Sequence, residues 1–126
     1  MPRILIAEDE PSLRSLIRLT LDTGGFEIVD APDGPAALEA ARATPPDLAF
    51  LDWEMPGMSG VDVTRAMRAD PAFADTRIVM VTARRRPEEE RAAREAGADD
   101  FIVKPFSPVR LLDKVLEVLG PDALLQ

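Results

Sequence analysis

The stretch LAFLDWEMPGMSG, residues 48–60, decides the fold. Leu48-Ala49-Phe50-Leu51 is apolar at every position. A short run without alternation reads as a strand covered on both faces. Asp52 follows at once, a carboxylate at the mouth of a core. Trp53, the only tryptophan of the chain, stands beside it, either packed under a neighbouring helix or at the rim. Met55-Pro56-Gly57 then turns the chain, and Ser59 with Asp62 has the pattern of a capping box that opens a helix. A buried strand that feeds through a turn into a helix is the unit from which parallel sheets are built.

The same unit recurs along the chain. Residues 4–7 and 78–81 are apolar without alternation, residues 26–31 alternate as an edge strand does, and residues 101–103 form a fifth short run. Between them lie helical patterns. Pro11 opens the first, whose apolar stripe is Leu13, Leu16, Ile17 and Leu21, and Gly24-Gly25 close it. The second covers about 35–43 and stops before Pro45-Pro46. Pro87 and three acids, Glu88-Glu89-Glu90, open the fourth, where the positive helix end favours them, and Gly97 ends it. That helix has little to bury beyond Ala92, Ala93 and Ala96. Ser107-Pro108 cap the fifth, with Val109, Leu112, Leu116 and Leu119 on one face and Gly120-Pro121 as its stop. Strands alternating with helices require crossover connections. The expectation is an α/β domain with a doubly wound, five-stranded parallel sheet and helices on both faces, spanning residues 1–120. Residues 121–126 are a C-terminal tail or the start of a linker.

The inventory excludes much chemistry. With no cysteine and no histidine, disulfides, thiol nucleophiles, a Ser-His-Asp triad and a phosphohistidine carrier are ruled out, and so are zinc sites built on those ligands. A net charge of -8 argues against nucleic acid as a partner of this domain, because phosphate binding needs a basic face. No apolar run is long enough to span a membrane, and MPRILIAEDEP lacks the apolar core of a signal peptide, so a cytoplasmic location is expected.

In doubly wound folds the functional crevice lies outside the carboxyl ends of the strands. There the sequence places Glu8, Asp9 and Glu10 after the first strand, Asp52 on the third, Thr82-Ala83 on the fourth and Lys104-Pro105 on the fifth. Crowded carboxylates repel, so one is protonated or a cation neutralises them. Magnesium suits such an oxygen set and keeps waters that a phosphate can replace. Taken alone, Glu8 to Glu10 read first as solvated acids favoured by the dipole at a helix N-terminus; Asp52 on another strand end weighs against that. Lys104 offers a positive charge to an anion or simply pairs with Asp52, and Thr82 offers a hydroxyl or caps the turn. A carboxylate that attacks phosphorus forms an acyl phosphate, with Lys104, Thr82 and the metal meeting its charge. The small side chain of Ala83 leaves room for the incoming group.

Taken together, ILIAEDEP, LDWEMPGMSG, VTA and GADDFIVKPFSP, in that order, make the chain resemble a response-regulator receiver domain of two-component signalling over essentially its whole length. The resemblance implies strand order 2-1-3-4-5, as in flavodoxin and the chemotaxis regulator. It implies a phosphorylation-dependent switch, a regulatory module and not an enzyme, that accepts a phosphoryl group on Asp52 with Mg2+. Asp9 would bind the metal directly, Glu8 mainly through water, and Glu54 through its backbone carbonyl. Lys104 and Thr82 would hold the phosphoryl oxygens. Phe101 matches the aromatic that turns inward on activation, here without a tyrosine hydroxyl, and Glu8 stands where many relatives carry aspartate. The implied partners are a sensor histidine kinase or histidine phosphotransfer protein and a downstream target or output domain. Partner binding, or a phosphorylation-dependent homodimer, would use the face made by the fourth helix, fifth strand and fifth helix.

The Lys104-Pro105 bond is expected to be cis. Glu54 and Arg84, each two residues past a site residue, either pair as a gate above the phosphoryl group or stand solvated and apart. Two readings compete with a switch: a degenerate receiver acting only as a binding scaffold, and a haloacid-dehalogenase-like aspartyl-phosphate phosphatase, suggested by the spacing of Asp52 and Glu54.

Overall fold

The computed structural model describes residues 1–83 and 86–121 of the 126-residue chain. Strands and helices alternate as β1 (Arg3–Ala7), α1 (Pro11–Leu21), β2 (Glu27–Ala31), α2 (Gly34–Ala43), β3 (Leu48–Asp52), α3 (Gly60–Arg68), β4 (Arg77–Thr82), α4 (Pro87–Ala96), β5 (Asp100–Val103) and α5 (Pro108–Leu119). The strands form one parallel sheet in the order β2-β1-β3-β4-β5, the doubly wound arrangement the sequence implies. β3 lies at its centre and is buried at all five positions, which is why its sequence does not alternate. β2 lies at an edge and is mostly half-exposed. Of the tail expected over 121–126, all but Pro121 falls outside the described residues.

The two-residue period of the strands divides the core. Ile4, Ile6, Phe50, Val79 and Ile102 face α1 and α5, where they meet Ile17, Leu21, Leu111 and Val115. Leu5, Ala49, Leu51, Ile78, Met80 and Phe101 face the other way, toward α2, α3 and α4. The α3 side is well filled by Val63 and Met67, whereas α4 buries only Ala93 and Ala96.

Two helix faces differ from the sequence reading. In α1 the core contact runs through Leu13, Ile17 and Leu21, spaced at i, i+4 and i+8, and Leu16 falls beside that line at 47% exposed. In α5 the core contact is made by Leu111 and Val115, with Leu112, Leu116 and Leu119 flanking it. Val109, two residues before Leu111, is turned about 200° away by the helical period and is 67% exposed. The α5 face also buries Lys114, whose ammonium lies 3.0 Å from Asp100 and 2.8 Å from Glu117.

The punctuation mostly acts as read. Ser59 and Asp62 form both bonds of the capping box. Ser107 caps α5 through the Arg110 amide, and Gly97 closes α4 in the left-handed conformation at φ 115°. α1, however, ends before its glycines: the Asp22 amide already bonds Arg18, and Gly24 serves the turn toward β2. A 3-10 turn at Pro71–Phe73, between α3 and β4, was not expected; Asp70 caps it and it buries Phe73.

Arg68, the last residue of α3, ties the opening end of the sheet together. Its Nε donates to the Gly97 carbonyl at 2.9 Å, Nη1 to Phe73 at 2.7 Å, and Nη2 to Thr76 at 2.7 Å and to the Asp99 carboxylate at 2.8 Å. One planar fork thus joins α3, the 3-10 turn and the α4–β5 turn, which a lysine cannot imitate. Arg68→Ala leaves three carbonyls and a carboxylate short of a donor and is expected to lower stability by about 2–3 kcal/mol. Arg68→Lys should recover little of it. Urea unfolding reads the loss; a drop in the range of an ordinary surface change, about 0.5 kcal/mol, would show that water replaces the fork.

Candidate functional site

Every chemically suggestive strand end in the sequence lies on one rim, because the strands are parallel. The sheet ladder continues past each end and holds these residues in place. The Glu8 amide donates to Ala31 at 3.1 Å, that of Trp53 to Val81 at 2.9 Å, and that of Lys104 to Thr82 at 2.8 Å. Asp52 is itself the last residue of β3, opposite Val81. Behind it, Gly60 lets α3 begin in contact with the strand: a Cβ there would lie 2.5 Å from the Asp52 carbonyl oxygen and 2.8 Å from Met80 Sδ. The Lys104–Pro105 peptide is cis.

Glu8, Asp9, Asp52, Glu54, Thr82, Ala83 and Lys104 all line one cavity of about 330 Å³. Phe101 is not among them; its ring is buried at 2% exposed on the α4 side, with the Arg94 guanidinium 4.9 Å from its centroid. Trp53 combines both readings of its place: half-buried, it packs on the α2–α3 side of the core and also lines the cavity. Glu54 is exposed, and Arg84 lies outside the described residues, so the expected gate between them has no structural description. Glu10, placed on this rim by the sequence, lines the cavity as well, and one lining acid, Glu89, escaped the sequence reading as a site residue. Glu10 caps α1, accepting from the Leu13 amide at 2.7 Å and Ser12 at 3.1 Å, and these bonds hold its carboxyl below the ordinary glutamate range. Glu89 reaches the cavity from α4; its sequence signal was its place in the helix's first turn, directly after the fourth strand end.

The electrostatics are those of crowded carboxylates under one cation. Lys104 Nζ lies 2.9 Å from Glu8 Oε1 and 3.1 Å from Asp52 Oδ1. Burial alone would lower the lysine's affinity for its proton, but the two carboxylates outweigh that and raise it. Asp52 is pushed up to about 7, first by burial and then by the charge of Glu8, which Lys104 offsets only in part. Glu8 is 1% exposed; its Oε2 accepts from the Glu10 amide at 3.1 Å, while Oε1 is ion-paired but has no donor in hydrogen-bond geometry. Oxygen atoms of Glu8, Asp9 and Asp52 fall within 4.8 Å of one another. A buried oxygen short of a donor inside an all-carboxylate cluster fits a hard divalent cation such as Mg2+.

Fold and rim together define a doubly wound α/β domain with a carboxylate-lined cavity at the carboxyl ends of its strands. Comparison narrows the class. The sequence model described as "Response regulator receiver domain" matches residues 4–116, and the chain belongs to that family. Residues 4–116 are therefore a regulatory receiver module, which supports a phosphorylation-dependent signalling role. The chain is 38% identical over 117 residues to the phosphate regulon transcriptional regulatory protein PhoB of Escherichia coli K12, covering 93% of this chain and 51% of that one. It is 42% identical over 113 residues to the DNA-binding response regulator MtrA of Mycolicibacterium smegmatis, covering 90% of this chain and 48% of that one. The chain thus spans about half the length of these curated relatives. The chemotaxis response regulator CheY4 of Vibrio cholerae superposes with a TM-score of 0.89 at 33% identity, over 94% of this chain and 98% of that one. The receiver domain of the sensor histidine kinase PA1611 of Pseudomonas aeruginosa, with a magnesium ion coordinated in its active-site cleft, gives 0.85 at 26% identity over 94% and 98%. Among the described residues, no helix is long and apolar enough to cross a membrane.

The raised affinity of Asp52 for its proton has a measurable consequence. Between the ordinary aspartate value and about 7, the folded chain holds this proton and the unfolded chain does not. Stability from this group is therefore fully present at about pH 4 and is lost as pH rises to about 7. Asp52→Asn removes the titration. In chelator, the variant is expected to unfold at a higher temperature than the wild type at pH 8, with the gap closing toward pH 4. Equal midpoints at pH 8 would show that the folded chain holds the Asp52 proton no more tightly than the unfolded chain.

Proposed function

We propose that Asp52 is the phosphoacceptor of a two-component switch, with residues 1–120 as the receiver unit. The observation that carries this is the pairing of a buried, strand-end aspartate with Lys104 at 3.1 Å inside an acidic cavity. The donor is a phosphohistidine of a sensor kinase or a histidine phosphotransfer protein. An ionised Asp52 oxygen attacks phosphorus; the P–O bond forms as the P–N bond breaks, and the imidazole keeps the electron pair and takes up a proton. Lys104 and Thr82 then hold the phosphoryl oxygens, and Ala83 leaves them space. Asp9, Asp52 and the Glu54 carbonyl, with Glu8 through water, would hold Mg2+. When bound, the ion would supply positive charge to the transferring group and favour the ionised form of Asp52. The chain's own contribution is positioning and charge, as in phosphoryl transfer generally. The signal leaves through partner binding.

The output surface is the α4–β5–α5 face, where an output domain, a separate target or a second copy of this chain binds. Its support is mechanical. α4 buries two alanines, and weak anchoring makes a helix easy to shift. Phe101, on β5 beneath it, already points inward here, so its part in switching is a change of packing under Arg94.

Incubation with acetyl phosphate and Mg2+ should add one phosphoryl group, and Asp52→Asn should abolish it. Undiminished labelling of the variant would sink the assignment. Asp9→Ala should weaken the metal site, seen as a higher Mg2+ requirement for labelling. Hydrogen exchange should change on phosphorylation at α4, β5 and α5; changes confined to α2 and α3 would place the output surface elsewhere.

A further inference from the structure

Among the described residues, the cavity is lined by six carboxylates, those of Glu8, Asp9, Glu10, Asp52, Glu54 and Glu89, and by one ammonium, that of Lys104. Lys104 is already engaged by Glu8 and Asp52, and Glu10 by the end of α1. Most of these groups stand on strand ends or on the loops just beyond them. Glu89 alone is presented by α4. It sits at the third position of that helix and lines the same cavity as Asp52.

α4 is held unequally along its length. At its far end Gly97 donates back to Ala93 and Arg94, and its carbonyl takes the Arg68 bond of 2.9 Å. Both buried side chains, Ala93 and Ala96, lie in that half. At the near end the N-cap residue, Arg86, makes no side-chain cap bond, and Pro87 and Glu88 are exposed. A force applied at Glu89 therefore acts on the end of α4 away from its two buried side chains and from the Arg68 bond.

We propose that Glu89 is the α4 charge that opposes an anion at Asp52: it slows entry of anionic phosphodonors, and it pushes the first turn of α4 outward once the phosphoryl group is in place. This rests on the reading of Asp52 as phosphoacceptor. The phosphoryl group carries nearly two negative charges and takes the place of the single charge of an ionised Asp52, so it adds about one to a space where, among the described residues, carboxylates already outnumber the one ammonium. Lys104 and a bound cation meet that charge from the strand side; Glu89 faces it from the helix side with the same sign. The relief available is movement of that first turn, away from the anchored half of the helix. The plainer role, that Glu89 merely complements the helix dipole, belongs equally to Glu88, which shares the first turn but does not line the cavity.

Glu88→Gln is therefore the control for Glu89→Gln. With the full chain, acetyl phosphate, Mg2+ and low salt, Glu89→Gln should label roughly two- to fivefold faster than wild type, the weight of one partly screened charge. The advantage should shrink at about 1 M salt, where screening acts within about 3 Å. Glu88→Gln should label at the wild-type rate. Independently of labelling rate, the rise in hydrogen exchange in the first turn of α4 on phosphorylation should be reduced in Glu89→Gln and kept in Glu88→Gln. If the wild type takes no label, the phosphoacceptor reading falls and this inference with it. If the wild type labels and the two variants behave alike in rate and exchange, the inference alone is overturned.

Discussion

Two carboxylates, Glu8 and Asp52, are buried side by side under one ammonium, and the rest of the rim is arranged around that fact. Like charges at 4 Å repel by about 4 kcal/mol at the effective dielectric typical of a protein near its surface. A domain whose whole stability is about 5–15 kcal/mol cannot leave that uncompensated. Lys104 answers it only in part, and Asp52 keeps its proton to about 7. The site at rest is thus under electrostatic tension that further positive charge relieves and further negative charge raises. The ladder bonds at Glu8, Trp53 and Lys104 keep the tension in place by denying these residues backbone room to retreat.

The two ends of the sheet are built on opposite terms. At the opening end, Arg68 satisfies three carbonyls and a carboxylate, and the loops there are closed against one another. At the carboxyl end, among the described residues, six carboxylates and a single ammonium converge on a cavity. α4 spans the two ends, fixed at the first and free of a side-chain cap at the second. Its small buried residues suit this position: a helix that filled its side with large apolar residues, as α3 does with Val63 and Met67, would be held against the sheet along its whole length.

The topology was legible because burial on both faces leaves an unmistakable pattern in β1, β3 and β4, and because the turn and cap residues are strong at α3, α4 and α5. The strand-end residues followed, since a parallel sheet sends them to one rim. What the sequence hid depends on partners far along the chain. α1 and α5 carry apolar residues on more than one face, so periodicity alone did not separate Leu16 and Val109 from the residues that meet the sheet. Lys114 reads as a solvated lysine until Asp100, on another element, is brought beside it. Arg68 bonds mainly to backbone carbonyls, which have no signature in side-chain identity. Asp70-Pro71 did carry a cap-and-proline signal for the 3-10 turn. Glu89 was hidden among three acids in a row, and only the helical turn distinguishes the one that faces the cavity.

Trp53 gives the molecule a property unrelated to its chemistry. The chain has one tryptophan and no tyrosine. The indole is half-buried between the carboxylate cavity and a second crevice lined by Asp9, Met55 and Pro56. Near-ultraviolet emission therefore originates from one ring, and that ring borders the rim. Charge or hydration that changes at Asp52 alters the field across the indole directly, so the wavelength of the emitted light reports on the rim without any added dye.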